Sequence, residues 1–263
     1  MHGLGNDFVI VNTKDMPLSI DIKKFVKKIS HRNLGIGCDQ MVLFTKNDMG
    51  CEAFIYNCDG SIEVTCGNAY ICLTCFLASS NSKFIIISNT KTIECTKIDE
   101  SNAKINLGIA KFSSDWIPSK DQLWALASRY NINLNEIICV DVGNPHLILF
   151  SNHYTKNDKN LIGKELEYHE LFPQGVNINF VEIKNQELYL EVWERGVGFT
   201  LACGSGACAS YAAACKLGLT DQTDNIIINF PLGLASLTKD KNNNIIMKST
   251  ASTVSEGVYY YDA

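Results

Sequence analysis

The sequence predicts an α/β fold made of two copies of one structural unit. Short apolar runs rich in β-branched residues, which are typical of strands, alternate with segments whose apolar residues recur at helical spacing. Polar motifs from the first half of the chain also return in the second half at an almost constant offset. Alternating strands and helices indicate an α/β protein, and the returning motifs indicate a duplicated unit.

The predicted strands and helices are spread along the whole chain. Strand-like runs cover residues 8–11, 41–44, 84–87, 147–150, 178–183, 188–193 and 226–230. Helical patterns cover residues 20–31, residues 66–78, residues 119–130 with Ser119 as N-cap, and residues 203–217 with Gly218 as C-cap. The helices that begin at Cys66 and Cys203 are almost wholly apolar, so we expect both to be buried.

The repeat joins residues that suit a binding or catalytic site. Equivalent pairs lie 137 or 138 positions apart: Asn6 with Asn144, Gln40 with Asn177, Asn57 with Glu194, and Cys66-Gly67 with Cys203-Gly204. Their shared order favours duplication, with the second unit beginning near residue 110. Most of these positions fall at strand ends or helix starts, where functional sites are usually built. Two such units would face each other across a cleft, with one thiol from each side.

The composition excludes several classes of protein. The formal net charge is −5, which argues against nucleic-acid binding, since that function normally needs a basic surface. The sequence has no run of roughly 20 apolar residues that would cross a membrane and no secretory leader at its start. We therefore expect a cytoplasmic protein that binds neither nucleic acid nor a membrane.

Eleven cysteines need an explanation of their own. Without an export signal they are expected to stay reduced, and most are predicted to be small buried residues, including Cys51, Cys95, Cys139 and Cys215. Cys72 and Cys75 have the CxxC spacing of zinc and redox motifs. They have no second pair or paired histidines beside them, and they fall inside a predicted helix. We interpret this pair as core and predict no metal site.

Cys66 and Cys203 have a different pattern, which favours acid–base chemistry. Inverting a carbon that carries a proton requires one group to remove the proton and another to deliver a proton to the opposite face. Each cysteine opens a predicted helix, where free N–H groups and the helix dipole stabilise a thiolate. The same N–H groups can hold a substrate carboxylate. The sequence therefore predicts a two-thiol racemase or epimerase that needs no cofactor.

These motifs give the chain a resemblance to the diaminopimelate epimerase family over nearly its whole length. The matching segments are MHGLGNDF at the start, GIGCDQ at 35–40, NCDGS at 57–61, CGN at 66–68, GNPH at 143–146, GVNINF at 175–180 and ERGVGFTLACGSGACA at 194–209. The Cys-Gly-Asn triplet and the ERGVG segment favour this family over proline racemases, which share the two-cysteine logic.

The resemblance implies a role for each matched residue. It implies that Cys66 and Cys203 are the catalytic acid–base pair and that His146 and Glu194 support the site. Substrate-binding roles fall on Asn6, Gln40, Asn57, Gly67, Asn68, Asn144, Asn177, Glu194, Arg195, Gly204 and Ser205. Arg195 suits a distal carboxylate because its planar guanidinium can bind a carboxylate through two hydrogen bonds.

The expected reaction is the interconversion of LL- and meso-diaminopimelate in lysine and peptidoglycan precursor synthesis, without pyridoxal phosphate, metal or nucleotide. We expect two similar domains, each a sheet wrapped around a central helix: residues 1–109 with 249–263, and residues 110–248. A homodimer is also expected. Two alternatives remain open: a racemase of another amino acid such as proline on the same fold, and a non-catalytic binder or thiol redox protein.

Overall fold

Sixteen strands and five α-helices lie in the part of the chain that the computed structural model describes, residues 1–17, 19–89, 91–130, 132–133, 135–220 and 225–261. The chain divides into two compact units: unit 1 contains Met1–Asn106 and Lys248–Ala263, and unit 2 contains Leu107–Met247. Each unit combines a mixed sheet with helices, so the predicted α/β class is confirmed.

Unit 1 is a mixed sheet with one helix buried against it and one outside. Its elements are β1 (His2–Gly3), β2 (Asn6–Asn12), a 3-10 turn (Thr13–Asp15), α1 (Ile22–Ser30), β3 (Gln40–Lys46), β4 (Gly50–Asn57), β5 (Ile62–Glu63), α2 (Gly67–Leu77), β6 (Lys83–Ile87), β7 (Thr92–Lys97) and β8 (Asn102–Asn106). The strand order is β1-β2-β3-β4-β6-β7-β8, with β5 paired to β4. The β2–β3 and β4–β6 pairs are parallel, and the others are antiparallel.

Unit 2 is built in the same way. Its elements are α3 (Lys120–Arg129), β9 (Ile137–Asp141), β10 (Pro145–Phe150), α4 (Lys156–Leu166), β11 (Asn177–Lys184), β12 (Glu187–Glu194), β13 (Gly198–Thr200), α5 (Gly204–Lys216), β14 (Ile226–Phe230) and β15 (Gly233–Lys239). The strand order is β9-β10-β11-β12-β14-β15, with β13 paired to β12. The last strand, β16 (Ile245–Thr250), leads the chain from unit 2 back into unit 1.

The two units repeat the same strand register. The parallel pair β2–β3 places Phe8 opposite Gln40, and the parallel pair β10–β11 places His146 opposite Asn177. The antiparallel pairs that follow place Met41 opposite Tyr56 and Ile178 opposite Trp193. Each residue of unit 1 here has its counterpart 137 or 138 positions later, so the duplication predicted from the sequence is confirmed by the register.

A buried apolar helix packs against each sheet. Helix α2 packs against β1, β2, β7 and β8, and α5 packs against β9, β10, β11, β12, β14 and β15. The N-caps of these helices are Cys66 and Cys203, as the sequence predicts. The C-cap of α5 is Leu217, one residue before the predicted Gly218, and the φ of 70° at Gly218 is the left-handed conformation that favours glycine just after a helix. Both predicted helices therefore begin and end close to where the pattern placed them.

The remaining helices, α1, α3 and α4, pack against β3, β9 and β11, respectively. Helix α1 is amphipathic and buries Phe25, Val26 and Ile29, whereas α3 begins with a capping box in which Ser119 and Gln122 satisfy each other's backbone N–H groups. Helix α4 was not predicted. Of the helices that the structure describes, none has the length and apolar character needed to cross a membrane.

The CxxC pair belongs to the core. Cys72 and Cys75 are buried inside α2, and burial raises the pKa of Cys75 to about 11 and that of Cys72 further. Burial also raises the thiol pKa of Cys51 and Cys95 to about 12. Cysteines held as thiols in this way are inert at neutral pH. Within the described ranges, no three His, Cys, Asp or Glu side chains form a group that could hold a metal ion.

Candidate active site

In each unit, the residues predicted to bind substrate gather at one edge of the sheet. In unit 1, Asn6 and Gln40 begin two parallel strands, and Asn57 ends the antiparallel neighbour of the second. In unit 2, Asn177 begins β11 and Glu194 ends β12. The first residues of parallel strands and the last residue of an antiparallel neighbour lie at the same sheet edge, so the topology explains the grouping.

Cys66 is in contact with Asn6, one of the predicted asparagines. Its sulfur lies 3.7 Å from Asn6 Oδ1, which also accepts a hydrogen bond from Asn68 Nδ2 at 3.5 Å. Cys66 is half-buried, and its side chain makes no capping hydrogen bond to the described first turn of α2. Asn6 from the first motif is therefore brought to the helix start that carries Cys66 and Asn68.

Asn6 is itself held by residues that the sequence analysis did not assign. Its Nδ2 donates to Asp39 Oδ2 at 3.1 Å. Arg32 binds Asp39 at 2.7 Å and binds both carboxylate oxygens of Asp7 at 2.8 and 2.9 Å. Hydrogen bonding to Arg32 and Asp39 lowers the pKa of the Asp7 carboxyl despite the opposing effect of burial. Asp39 lies within the GIGCDQ motif, so its place in that motif could have indicated a role at the site.

Gln40 and Asn57 form a second amide pair in unit 1. Gln40 Nε2 donates to Asn57 Oδ1 at 2.9 Å, and Asn57 Nδ2 donates to Ser61 Oγ at 3.1 Å. The Gln40 Oε1 atom is buried without a hydrogen-bond partner among the described residues. A buried acceptor of this kind is costly unless a ligand donates to it, which makes it suitable for an ammonium group.

Cys203 is buried at the start of α5 and makes two polar contacts there. Gly206 N–H donates to the Cys203 sulfur at 3.3 Å, and Ser205 Oγ lies 3.4 Å from the same sulfur. Ser205 Oγ also accepts from Asn144 Nδ2 at 3.2 Å. The Asn144 Oδ1 atom is buried and, among the described residues, without a partner. The backbone N–H on sulfur stabilises the thiolate form of Cys203.

His146 is fully buried beside this group. Its Nε2 lies 3.0 Å from Ser205 Oγ, and its Nδ1 lies 2.9 Å from Asn179 Oδ1. Burial lowers the pKa of His146 to about 4, and nearby Arg195 adds to this effect. The imidazole is therefore neutral at pH 7. His146 has the satisfied hydrogen bonds of a core histidine, but it also touches Ser205, a predicted site residue.

Arg195 is exposed in the turn that follows β12. Its backbone N–H donates to Asn177 Oδ1 at 2.9 Å, while its Nη1 donates to the backbone oxygen of Gln174 at 2.8 Å. Gly175 lies under the side chain, and a Cβ at Gly175 would come within 2.4 Å of Arg195 Cδ. The contacts at Nη1 and the backbone N–H fix Arg195 beside Asn177.

Three further hydrogen bonds hold the same turn and the end of the strand before it. Thr200 Oγ1 donates to Glu194 Oε1. Glu167, which the sequence analysis did not assign, accepts from Trp193 Nε1 at 2.9 Å and from Gly196 N–H at 2.5 Å. Glu167 is the C-cap of α4 and is far from the turn in sequence, so no local pattern indicates this role.

Comparison with solved structures shows which fold the chain has. A predicted epimerase from Pseudomonas aeruginosa matches 96% of this chain and 94% of its own, with a TM-score of 0.67 at 12% identity. A phenazine biosynthesis protein of the PhzF family from Bacillus anthracis matches 95% of this chain and 92% of its own, with a TM-score of 0.68 at 13% identity. At such low identity these structures establish the fold that the chain shares with them.

The sequence comparisons then establish the family. The model of the diaminopimelate epimerase family matches residues 1–112 and 138–254. A diaminopimelate epimerase from Rickettsia akari is 46% identical over 100% of this chain and 96% of its own length, and one from Rickettsia felis is 45% identical over 99% and 96%. The chain belongs to the diaminopimelate epimerase family, so it is an enzyme of the isomerase class, and the resemblance seen in its motifs is confirmed.

Proposed function

We propose that this protein interconverts LL- and meso-diaminopimelate, with Cys66 and Cys203 as its two acid–base groups. One observation carries the proposal: in a member of this family, the two cysteines are the N-caps of the two equivalent central helices. Neither buried neutral His146 nor exposed Arg195 can exchange a proton as readily at pH 7 as a thiol held at a helix start.

The reaction balances with these two groups alone. One cysteine, as thiolate, takes the proton from the α-carbon and becomes a thiol. The other, as thiol, delivers its proton to the opposite face and becomes a thiolate. The two cysteines have then exchanged protonation states, and the enzyme is ready for the reverse direction. Removing the α-proton is the difficult step, because the resulting carbanion needs stabilisation.

The helix starts suit the carboxylate next to the reacting carbon. We assign it to the backbone N–H groups of Gly67 and Asn68 in unit 1 and of Gly204 and Ser205 in unit 2. Such groups, reinforced by the helix dipole, bind an anion. They also stabilise negative charge that spreads onto the carboxylate as the α-carbon loses its proton. Gly206 N–H contacts the Cys203 sulfur and therefore has a separate role.

The other end of the substrate carries a second carboxylate and a second ammonium group. Arg195 is the cation for the carboxylate, since its guanidinium extends from a turn fixed by Asn177. The ammonium group needs acceptors, which Asn and Glu side chains offer. We assign substrate-binding roles at this end and around the reacting carbon to Asn6, Gln40, Asn57, Asn144, Asn177 and Glu194, with His146 and Glu194 as supporting residues.

The wider context is also part of the proposal. Residues 1–109 with 249–263 would form one half of the epimerase and residues 110–248 the other. We propose that the enzyme acts in the cytoplasm as a homodimer and needs no pyridoxal phosphate, metal or nucleotide, because two thiols suffice for the proton transfers. Its product would serve lysine and peptidoglycan precursor synthesis, as the family name implies.

A stereochemical assay tests the substrate. Reduced protein is incubated with LL-diaminopimelate, L-proline or L-lysine, and the stereoisomers are separated by chiral chromatography. We expect meso-diaminopimelate to form and the other two amino acids to remain unchanged, since each lacks the distal carboxylate. Inversion of proline alone would favour the alternative racemase. Binding of diaminopimelate by folded, reduced protein without any inversion would favour a non-catalytic binder.

A further inference from the structure

We propose that Asn179 is a positioning residue that fixes the tautomer of His146 and, through His146 and Ser205, the hydrogen bonding of the Cys203 thiol. This proposal rests on the proposed acid–base role of Cys203. The sequence motifs assign Asn179 no role, and it lies in the interior of β11 with its side chain completely buried.

The orientation of the Asn179 amide follows from its surroundings. One end of the amide lies 2.8 Å from the backbone oxygen of Gly206 and 2.9 Å from Ser210 Oγ. A carbonyl oxygen can only accept a hydrogen bond, so the amide atom facing it must be Nδ2. The oxygen Oδ1 therefore faces His146, at 2.9 Å from Nδ1.

This orientation dictates the protonation of His146. Because Asn179 Oδ1 can only accept, His146 Nδ1 must carry the hydrogen, and in the neutral ring Nε2 is then an acceptor. Asp141 and Arg195 are the charged groups that act on the ring, and they act in opposite directions. Burial is the larger effect and keeps the ring neutral.

The effect reaches Cys203 through Ser205. The Ser205 hydroxyl has one hydrogen, and it donates that hydrogen to His146 Nε2 across 3.0 Å. Its oxygen can then only accept from its other neighbours, Asn144 Nδ2 at 3.2 Å and the Cys203 S–H at 3.4 Å. In this arrangement Ser205 stabilises the thiol form of Cys203, whereas Gly206 N–H stabilises the thiolate.

Unit 1 has no counterpart of the two residues at the centre of this hydrogen-bond series, His146 and Asn179. By the shared strand register, Phe8 occupies the position of His146, and Val42 occupies the position of Asn179. Asn68 takes the place of Ser205 beside Cys66. The duplicated scaffold therefore tunes its two thiols by different means, and the Asn179–His146 pair is specific to Cys203.

The tautomer can be measured without substrate by ¹⁵N NMR of the histidine side chains, with His146 assigned from its loss in His146→Gln. In the wild type we expect a neutral ring with hydrogen on Nδ1. Asn179→Leu should move the hydrogen to Nε2. Asn179→Asp, which as the protonated acid keeps an acceptor for Nδ1 and a donor for the Gly206 carbonyl, should retain the wild-type tautomer. Ser210→Ala is the matched control, since it changes another partner of Asn179, and it should leave the tautomer unchanged.

Two functional readouts accompany the NMR. In Asn179→Leu the freed Ser205 hydroxyl can donate to the Cys203 sulfur, so the pH midpoint of Cys203 alkylation, followed by peptide mass spectrometry, should fall by about one unit. The kcat should fall roughly 10-fold with little change in KM, since Asn179 is completely buried, and Asn179→Asp should restore most of it.

Hydrogen on Nε2 in the wild type, or an unchanged tautomer and alkylation midpoint in Asn179→Leu, would overturn the proposal. If Asn179→Leu does not fold, loss of the wild-type tautomer in Asn179→Asp would also overturn it. The tautomer and the alkylation midpoint are measured without diaminopimelate, so their failure is distinct from failure of the proposed function, which the stereochemical assay reports.

Discussion

The backbone N–H of Gly206 points at the sulfur of Cys203, with 3.3 Å between nitrogen and sulfur. The position is crowded as well as polar. A Cβ on Gly206 would come within 2.9 Å of Val192 Cγ2 and within 3.3 Å of both Asn179 Nδ2 and the Cys203 Cβ. Glycine at this position therefore lets the first turn of α5 approach the strand and keeps the sulfur beside its donor.

Gly206→Ala should damage both stability and activity. Overpacking of this kind typically costs about 1–3 kcal/mol, and relief of the clash would move the N–H away from Cys203. Urea unfolding and the epimerisation rate measure the two effects. Gly257→Ala is a suitable control, because a Cβ there meets nothing within 4 Å. Wild-type stability and rate in Gly206→Ala would show that the close approach has no role.

Replacing either proposed acid–base cysteine by alanine should abolish inversion but not all proton exchange. In Cys66→Ala the remaining Cys203 can still remove a proton from one face and return one to the same face. We therefore expect deuterium to enter one stereoisomer of diaminopimelate without conversion to the other. Cys203→Ala should label the opposite configuration, and NMR of the substrate after incubation in heavy water measures both.

The exposed Cys58 provides the control for the cysteine variants. Cys58→Ala should retain wild-type inversion and exchange. If Cys66→Ala or Cys203→Ala still converts LL- to meso-diaminopimelate at the wild-type rate, the two-thiol assignment is wrong.

Arg195→Leu should raise the KM for diaminopimelate by about 10- to 100-fold, because a charged hydrogen-bond pair contributes roughly 1.5–3 kcal/mol. Arg195→Lys keeps the charge but not the planar fork, so its KM should fall between those of the wild type and Arg195→Leu. The fold should survive both changes, because the Arg195 side chain is exposed. Steady-state kinetics with matched thermal unfolding separates these effects, and a wild-type KM in Arg195→Leu would place the distal carboxylate elsewhere.

His146 should make stability depend on pH. Burial lowers its pKa in the folded protein to about 4 from the ordinary 6.5, so between these values the unfolded chain binds more protons than the folded one. The free energy of unfolding therefore rises with pH across this window, by about 3 kcal/mol in total. This stabilisation is complete above pH 6.5 and is lost as the pH falls towards 4. Asp7 and Asp141 also have lowered carboxyl pKa values, but they affect the free energy of unfolding only at pH values below this window.

Urea unfolding at pH values from 7 to 4 measures this dependence. We expect His146→Gln to flatten the curve in that window, while His153→Gln, which changes an exposed histidine, should keep the wild-type slope. Equal slopes in the wild type and in His146→Gln would mean that His146 is not held neutral by burial.

Local patterns were sufficient for the elements that position the two cysteines. The Ser119 cap, the two helices that begin at Cys66 and Cys203, and the glycine turn that follows α5 all depend on residues near each other in sequence, so the sequence predicts them to within a residue. Helix α4 was missed although Thr155 and Asp158 form a capping box. Its interior Gly163 is a weak helix former, and the reason for that glycine is distant in sequence: a Cβ there would come within 2.5 Å of the Trp193 ring.

The same distinction applies to the site. The matched motifs name the residues at the sheet edges, but they do not reveal which side chains hold them. Asn179 follows Asn177 by two positions in a strand, so both point to the same side of the sheet, and this was the available signal. The partners of Asn179, which are His146 and Gly206, come from other elements. In the same way, Glu167 binds Gly196 and Arg32 binds Asp7 across long stretches of sequence. Such contacts are decided only by the folded chain.

The most direct test of the two-thiol account is the isotope content of the first product formed in heavy water. LL-diaminopimelate is incubated in heavy water with reduced protein and a chelator, without added cofactor, and the reaction is stopped after a small fraction has reacted. We expect the meso product to carry deuterium at the inverted α-carbon, while the remaining LL substrate is still unlabelled, because the thiol that delivers the proton is not the group that removed it. Meso product that retains the original hydrogen would contradict the account, since a single group would then have carried the proton from one face to the other.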